Sequence, residues 1–285
     1  MGLALNYESD AREHLRAVLQ KLDANADLDH LIHRLVGVVN HYVPSPVVLD
    51  RFVCVDPALK LKLLNSVREF VIEDPRRPFE SAADIIEIYG DRHVAELTVI
   101  MLVDQIHSSV FKGSGYLSRE LTKHAVASAA TMRWLAKRHG EDEDQWFLYG
   151  MCWRIGIPVL CNYDAGTYAK CVSNLMGTGV QLHAAELSMF RLNHRQVTHA
   201  IFGERAFPEF MIAAADPDSI PSRLKRHAAF ASHAAHKLGF DMGLATVANP
   251  ILPHHLQQAE IDVSDLGLIR SAVLDAVSDF QRYKL

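Results

Sequence analysis

The chain has 285 residues, 49% of them hydrophobic, which is enough apolar material for one large domain or two small ones. Charged residues make up 22% and the formal net charge is −5, so no overall basic excess would attract nucleic acid or anionic lipid. No signal peptide is visible, no stretch approaches the ~18 uninterrupted apolar residues of a membrane helix, and the four cysteines form no C-x-x-C pair. We therefore expect a cytoplasmic, bacterial-type protein that binds neither nucleic acid nor membrane.

The first forty residues carry two helical stripes. Apolar residues recur at i, i+3, i+4 and i+7 from Leu15 to Leu22, and Asp10 and Glu13 stand at capping-box spacing ahead of them. A second stripe runs from Leu28 to Val39. Residues 1–40 are predicted to be a helical extension that either packs onto the following domain or offers a docking or dimerisation surface.

Residues 41–115 are predicted to be a helical subdomain. Three prolines stand where they would begin helices rather than interrupt them, namely Pro44, Pro46 and Pro57. Gly90 is predicted to end a short helix, and a long apolar helix is predicted to follow it. The stretch Gly113-Ser114-Gly115 predicts a flexible joint, at which we divide the protein.

Residues 116–240 are predicted to be a second helical subdomain. Five helical segments separated by Gly, Pro or Asp are expected at residues 121–140, 142–160, 167–190, 193–215 and 223–239. Within the second of them, "GMCWRIGIPVL" (150–160) reads as a helix that meets a glycine and begins again. A looser tail, residues 241–285, is predicted to hold a last amphipathic helix from Leu266 to Phe280. Period-two alternation is absent over any useful length, so the chain is predicted to be all-α.

The sequence contains sixteen histidines, which is its one unusual feature of composition. Imidazole and carboxylate together suit divalent metals, but no pair here has H-E-x-x-H or C-x-x-C spacing, so surface or half-buried histidines are the plain interpretation. There is no G-x-S-x-G elbow. The segment "MGTGV" (176–180) lacks the strand and the Gly-Lys-Ser/Thr of a phosphate loop and is predicted to be a turn between two helices. Helical spacing spreads Arg223, Lys225 and Arg226 over different directions, which favours a solvated face over a phosphate track.

The order of several segments resembles the HDOD family, the "HD-related output domain" branch of the HD superfamily. The resemblance begins near "VPSPVVLDRF" (43–52) and continues through "DPALKLKLLNSV" (56–67) and "RRPFESAADIIEIYG" (76–90). In the second half it runs through His124, "GMCWRIGIPVL", "GVQLHAAELSMF" with its Glu186, and "NHRQVTHAIFGERAFP". Together these segments cover roughly residues 40 to 240, and we place the HDOD domain at 41–240 with an HD-like helical bundle at 116–240.

The resemblance also marks a degenerate site. In catalytic members of the HD superfamily the position of "WRIG" reads His-Asp-Ile-Gly, and the His-Asp pair binds the metal. Here Trp153 and Arg154 replace that pair, while His124 matches an earlier ligand histidine and His194 a later one. The His-rich segment that the resemblance implies after Pro208 is missing, and so is a late carboxylate near "FASHAAH" (230–236).

The replacement predicts that the site holds no metal and no cofactor. Arginine is effectively always protonated, and a guanidinium about 4 Å from a divalent cation costs about 8 kcal/mol at an effective dielectric constant of about 20. The sequence allows two placements for Arg154. It pairs with a buried carboxylate in place of the metal, or it extends to solvent from a helix end.

Three functions remain open at this stage. The resemblance implies a non-enzymatic signal-transduction module of a response-regulator or two-component pathway, with a protein partner such as a receiver, a sensor kinase or a cyclic-dinucleotide protein. A metal-dependent phosphohydrolase or cyclic-nucleotide phosphodiesterase would instead recruit His124, His194, His199 and His233. A third possibility is a regulator whose former metal pocket binds a small nucleotide or metabolite, with Arg154 as an anion contact. The oligomeric state is left open.

Overall fold

The structure, a computed structural model, shows only α-helices and no strand in the residues that it describes. These residues are 2–42, 90–111, 115–175, 180–220, 222–242 and 251–282, together with positions 57, 60, 61, 84, 86, 87 and 178. The predicted helix starts at Pro44 and Pro46, most of the segments 56–67 and 76–90, and the joint at Gly113 and Ser114 lie outside them. The prediction of an all-α chain is confirmed.

The helices follow one another with short connections. In chain order they are α1 (Gly2–Asp23), α2 (Ala26–Asn40), α3 (Asp91–Val110), α4 (Gly115–His139), α5 (Glu143–Cys152), α6 (Gly156–Tyr163), α7 (Ala165–Leu175), α8 (Leu182–Phe190), α9 (His194–Glu204), α10 (Glu209–Ala215), α11 (Arg223–Lys237), α12 (Pro253–Ala259) and α13 (Asp265–Arg282).

Helix α4 lies at the centre and packs against α3, α5, α11 and α13. Its inner positions include small residues such as Ala127 and Ala129, both fully buried. Gly150 of α5 faces this stretch so closely that a Cβ there would lie 2.7 Å from the Cα atom of Ala129. Small residues at the crossing therefore let α5 approach α4, which brings the end of α5 into the core.

The break between α5 and α6 falls where "GMCWRIGIPVL" predicts it. The backbone stays in the right-handed region at Trp153 and Ile155, but the N–H groups of Ile155 and Ile157 bond to carbonyl groups three residues back. This tightening from α- to 3₁₀-type hydrogen bonding is typical of a functional or strained turn inside a helix. Trp153 and Arg154 occupy that turn.

Other helix boundaries follow the predictions in part. Gly90, with φ +80°, precedes α3, and α13 covers the predicted last helix. The capping box at Asp10 and Glu13 is wrong, because α1 is already helical at Gly2.

Three of the five segments predicted in the second half are each two helices: α5 and α6, α7 and α8, and α9 and α10. The first two divisions were predicted, at "GMCWRIGIPVL" and at the turn "MGTGV", whereas the third was not. The last pair is separated by Ala206, with φ +54°, and by Pro208, which has no N–H group to continue a helix. The single segments that become α4 and α11 stay whole.

The N-terminal helices pack onto the body of the protein. Helix α1 contacts α6, and α2 contacts α3. Asn25, between α1 and α2, donates from Nδ2 to Oδ1 of Asn162 at 2.7 Å, and Arg205 forms ion pairs with Asp23 and Asp29. Leu22 and Leu28 are fully buried. None of the described helices combines the length and apolarity needed to cross a bilayer.

Candidate functional site

Arg154 is held in the turn between α5 and α6 by neutral groups. Its Nη2 donates to Oγ of Ser232 at 2.7 Å, and Nη1 lies 3.2 Å from Sδ of Met242. The guanidinium carbon stands 4.6 Å from the ring centroid of Trp153, in cation–π geometry. Among the described residues no carboxylate is in ion-pair contact with Arg154. Neither predicted placement, a buried ion pair or an extension to solvent, describes these contacts.

His124 lies on the far side of Ser232 and is almost fully buried. Its Nδ1 is 2.6 Å from the carbonyl oxygen of Phe240, and its Nε2 is 3.0 Å from Oγ of Ser232. A carbonyl oxygen only accepts, so Nδ1 carries the proton and Nε2 accepts from the Ser232 hydroxyl. The hydroxyl in turn accepts from Arg154, which completes a chain of hydrogen bonds from Arg154 through Ser232 and His124 to the Phe240 carbonyl.

Electrostatics keep Arg154 and His124, the two titratable groups of this hydrogen-bond series, in one protonation state each. Burial, together with the nearby Arg154 cation, lowers the pKa of His124 well below its ordinary value. Burial also lowers the pKa of Arg154 to about 10, which leaves the guanidinium charged at neutral pH. The site therefore holds one positive charge, on Arg154, and a neutral imidazole.

Little space remains around these side chains. A cavity lined by His107, His124, Trp153 and Arg154 has a volume of about 10 Å³, at the lower limit for one water molecule. The pocket in which sequence reasoning placed a small nucleotide is thus filled by the protein's own side chains.

His194 is positioned by a capping box at the start of α9. Asn193 Oδ1 accepts from the N–H groups of Arg195 and Gln196, and the Gln196 side chain accepts from the Asn193 N–H. This arrangement places His194 at the first position of the helix. Gly156, the first residue of α6, lies against the His194 backbone, and a Cβ at Gly156 would stand only 2.1 Å from the His194 carbonyl oxygen.

The His194 ring pairs with Glu186 of α8, and both side chains are buried. Glu186 Oε2 accepts from the His194 backbone N–H at 2.9 Å and from Nδ1 at 2.6 Å, while Oε1 accepts from the Tyr168 hydroxyl at 3.0 Å. The His194 Nε2 atom is buried and has no hydrogen-bond partner among the described residues. A histidine held through Nδ1 by a carboxylate, with Nε2 free, has the orientation of a metal ligand.

The four predicted site residues therefore divide into two groups. His124, Trp153 and Arg154 line one cavity, whereas His194 is not among its lining residues and belongs to the Glu186 pair. Sequence reasoning missed Ser232 and Met242 as contacts of Arg154. A signal was present for Ser232, because "FASHAAH", where the family pattern led us to expect a carboxylate, supplies a serine instead.

The residues do not fit a metal of the HD type. Of the four predicted site residues, only His194 is oriented as a metal ligand. Both ring nitrogens of His124 are hydrogen-bonded, and Trp153 and Arg154 offer no ligand atom. Across the described part of the chain, no three His, Cys, Asp or Glu side chains are grouped so that they could hold a metal ion. His199 joins no such group, and His233 instead packs against the ring of His255 at 4.7 Å.

The buried histidines predict a pH-dependent stability. Burial lowers the pKa of His107 to about 3, and the pKa of His124 is lowered too, whereas the unfolded chain takes up these protons near pH 6.5. Stability is therefore full above about pH 6.5 and falls as the pH drops towards the folded-state values. The free energy of unfolding, measured in urea, should fall by about 2 kcal/mol between pH 7.5 and 5 through His107, and His124 should add to the fall.

His107→Gln should lose its share of this pH dependence, and the exposed His30→Gln should keep all of it. Equal slopes in the two variants would contradict the assignment.

Comparison with known proteins gave one family and several structures. The family model described as the HDOD domain matches residues 26–219, which begins before the predicted boundary at 41 and ends before 240. No curated protein matches the sequence.

Solved structures share the fold at low identity. A protein of Shewanella amazonensis SB2B, provisionally named a phosphohydrolase, is 18% identical with a TM-score of 0.66, covering 94% of this chain and 98% of its own. An HDOD domain protein of unknown function from Geobacter sulfurreducens is 16% identical with a TM-score of 0.62, covering 93% and 98%. A protein of Marinobacter aquaeolei VT8, provisionally named a signal transduction protein, is 13% identical with a TM-score of 0.69, covering 97% and 66%.

Proposed function

Because the chain belongs to the HDOD domain family, we propose that it is a non-catalytic bacterial regulatory module that acts in signal transduction through protein–protein contacts. The observation that carries the proposal is the Arg154 guanidinium, which is hydrogen-bonded to Ser232 in the degenerate site. The alternative is a metal-dependent phosphohydrolase or cyclic-nucleotide phosphodiesterase with an atypical site.

The charge of the site supports the non-catalytic proposal. A divalent cation beside His124 would face the Arg154 cation. Among the described residues no carboxylate contacts Arg154: Ser232 is neutral, and Glu186 is hydrogen-bonded to Tyr168 and His194. Coulomb repulsion of this kind is strongest in a buried site, where solvent screening is weak.

The hydrogen bonds of His124 support it as well. To bind a metal through Nε2, His124 would have to give up the Ser232 hydroxyl, and Ser232 would lose the acceptor for its proton. To bind through Nδ1, it would give up its hydrogen bond to the partly buried Phe240 carbonyl. Each unpaired buried group costs about 1–3 kcal/mol, so metal binding would have to overcome that penalty in addition to the repulsion.

We expect the purified protein, incubated with Mn²⁺ or Zn²⁺ and then desalted, to retain no stoichiometric metal. It should also show no metal-dependent hydrolysis of p-nitrophenyl phosphate or its diester, because the cation on Arg154 occupies the site. The double variant Trp153→His/Arg154→Asp, which restores the superfamily pair, should bind metal more tightly than the wild type. Trp153→His/Arg154→Asn is the matched control, because it removes the same cation without adding a carboxylate.

A stoichiometric transition metal in the wild type, with hydrolysis that His124→Ala and His194→Ala abolish, would establish the phosphohydrolase instead. The interaction half of the proposal is tested separately by affinity purification from the source bacterium. A defined signalling protein should be retained in stoichiometric amount. Recovery of no protein above the bait-free control would count against it.

A further inference from the structure

A second, open cleft lies next to the filled site. It has a volume of about 430 Å³, within the range of small-molecule sites, and is lined by residues of α5, α8, α9, α10, α11 and α12. Among the described residues, Trp153 is the one that lines both this cleft and the filled cavity. The cleft thus adjoins the degenerate site at Trp153, but His124, Arg154 and His194 are not among its described lining residues.

The cleft carries positive charge in a chain whose net charge is negative. Arg195, Lys225 and Arg226 line it, and no Asp or Glu stands among its described lining residues. Lys225 donates to the backbone carbonyl of Asp216, and Arg226 lies 3.8 Å from the exposed Glu260. Arg195 has no ion-pair partner within the part of the chain that the structure describes.

Two helix N-termini add to this charge. Arg195 lies in the first turn of α9, and Lys225 and Arg226 lie in the first turn of α11. Neither first turn contains an acidic residue. The partial positive charge of a helix N-terminus adds to that of these cations. The first N–H groups of α9 already bond to Glu186 and Asn193, and the Lys225 N–H bonds to Ser222, so a ligand would be held by the side chains.

Aromatic and small side chains form the rest of the cleft wall. Trp153 lines it and is only 8% exposed, with its indole Nε1 buried. Tyr149, Ala214 and Ala215 complete a largely apolar wall that suits the organic part of a ligand.

The geometry points to this cleft as a binding site for a small phosphorylated metabolite, whose phosphate group is held by Arg195, Lys225 and Arg226. The inference goes beyond the proposed function, since it requires neither a metal nor a protein partner. It also moves the ligand site away from Arg154, which sequence reasoning favoured, to the basic run that the helical spacing assigned to a solvated face.

Calorimetric titration tests the site with three probes: pyrophosphate, 5′-AMP and adenosine. We expect both phosphates to bind at up to millimolar concentration and adenosine to bind at least about 10-fold more weakly, a difference of about 1.4 kcal/mol. Arg195→Gln should weaken 5′-AMP binding by a similar factor, and added salt should weaken it further. Ala229→Trp, which fills the cleft from an exposed position of α11 without changing charge, should abolish binding.

Lys170→Gln on the exposed face of α7 is the matched control for charge and should bind as the wild type does. A thermal melt of each variant separates lost binding from lost folding. The inference is overturned if neither phosphate binds, if adenosine binds as tightly as 5′-AMP, or if folded Arg195→Gln and Ala229→Trp both bind like the wild type. None of these outcomes bears on the metal test of the degenerate site.

Discussion

Replacing Gly156 by alanine is expected to destabilise the protein by about 3 kcal/mol, a large effect for the addition of one methyl group. The new Cβ would stand 2.1 Å from the His194 carbonyl oxygen and 2.9 Å from both the His194 carbonyl carbon and the Thr198 nitrogen. All three are backbone atoms, so no side-chain rotation relieves the clash. The start of α9 would have to move away from α6 and break the bond from the Gly156 N–H to Oγ1 of Thr198.

Urea unfolding of the purified variant measures this loss. Gly203→Ala is the matched control, because a Cβ there meets no atom within 4 Å and the residue lies in the same α9 helix. It should be neutral or slightly stabilising, since alanine has the better helix propensity. If Gly156→Ala were as stable as Gly203→Ala, the close approach of α6 and α9 would be wrong.

Replacing Glu186 by alanine is expected to cost at least about 3 kcal/mol, because three buried donors would lose their acceptor and each costs about 1–3 kcal/mol when unpaired. Glu186 accepts from the His194 backbone N–H, from the His194 ring and from the Tyr168 hydroxyl, and it is fully buried. Without the carboxylate, these donors would remain buried without acceptors. The first turn of α9 would lose its attachment to α8.

Chemical denaturation again gives the magnitude, and two further variants give its cause. Glu186→Gln keeps an acceptor of the same shape and should cost clearly less than alanine. Glu204→Ala removes an exposed carboxylate from the end of α9 and should stay within about 0.5 kcal/mol of the wild type. A Glu186→Ala protein with wild-type stability would show that the three donors find other partners.

Much of the fold is predictable because helices are encoded locally. The 3.6-residue repeat of apolar residues, with Gly, Pro and Asp at the breaks, predicts the all-α class, the start of α3 after Gly90 and the interruption at Trp153–Ile155. One division was missed. Between α9 and α10, Pro208 was a local signal that the prediction did not use, whereas the positive φ of Ala206 is not predicted by its residue type.

The candidate site is less predictable because its contacts join distant segments. Arg154 bonds to Ser232, and His124 bonds to the carbonyl of Phe240, 116 positions away. No periodicity or motif encodes such a pairing, and family resemblance gives only the positions that differ from the catalytic pattern. The capping box at Asn193 and Gln196 is a local signal that could have located the start of α9.

The hydrogen-bond chain that runs from Arg154 to Phe240 also has a mechanical consequence. It connects four parts of the protein by hydrogen bonds of its own groups: the α5–α6 turn, the middle of α4, helix α11 and the segment after α11. Because these hydrogen bonds are formed by the protein itself, a chelator cannot remove them and a shortage of metal ions cannot weaken them. The junction of these helices is thus assembled from the chain's own atoms, whatever ions the cell has to offer.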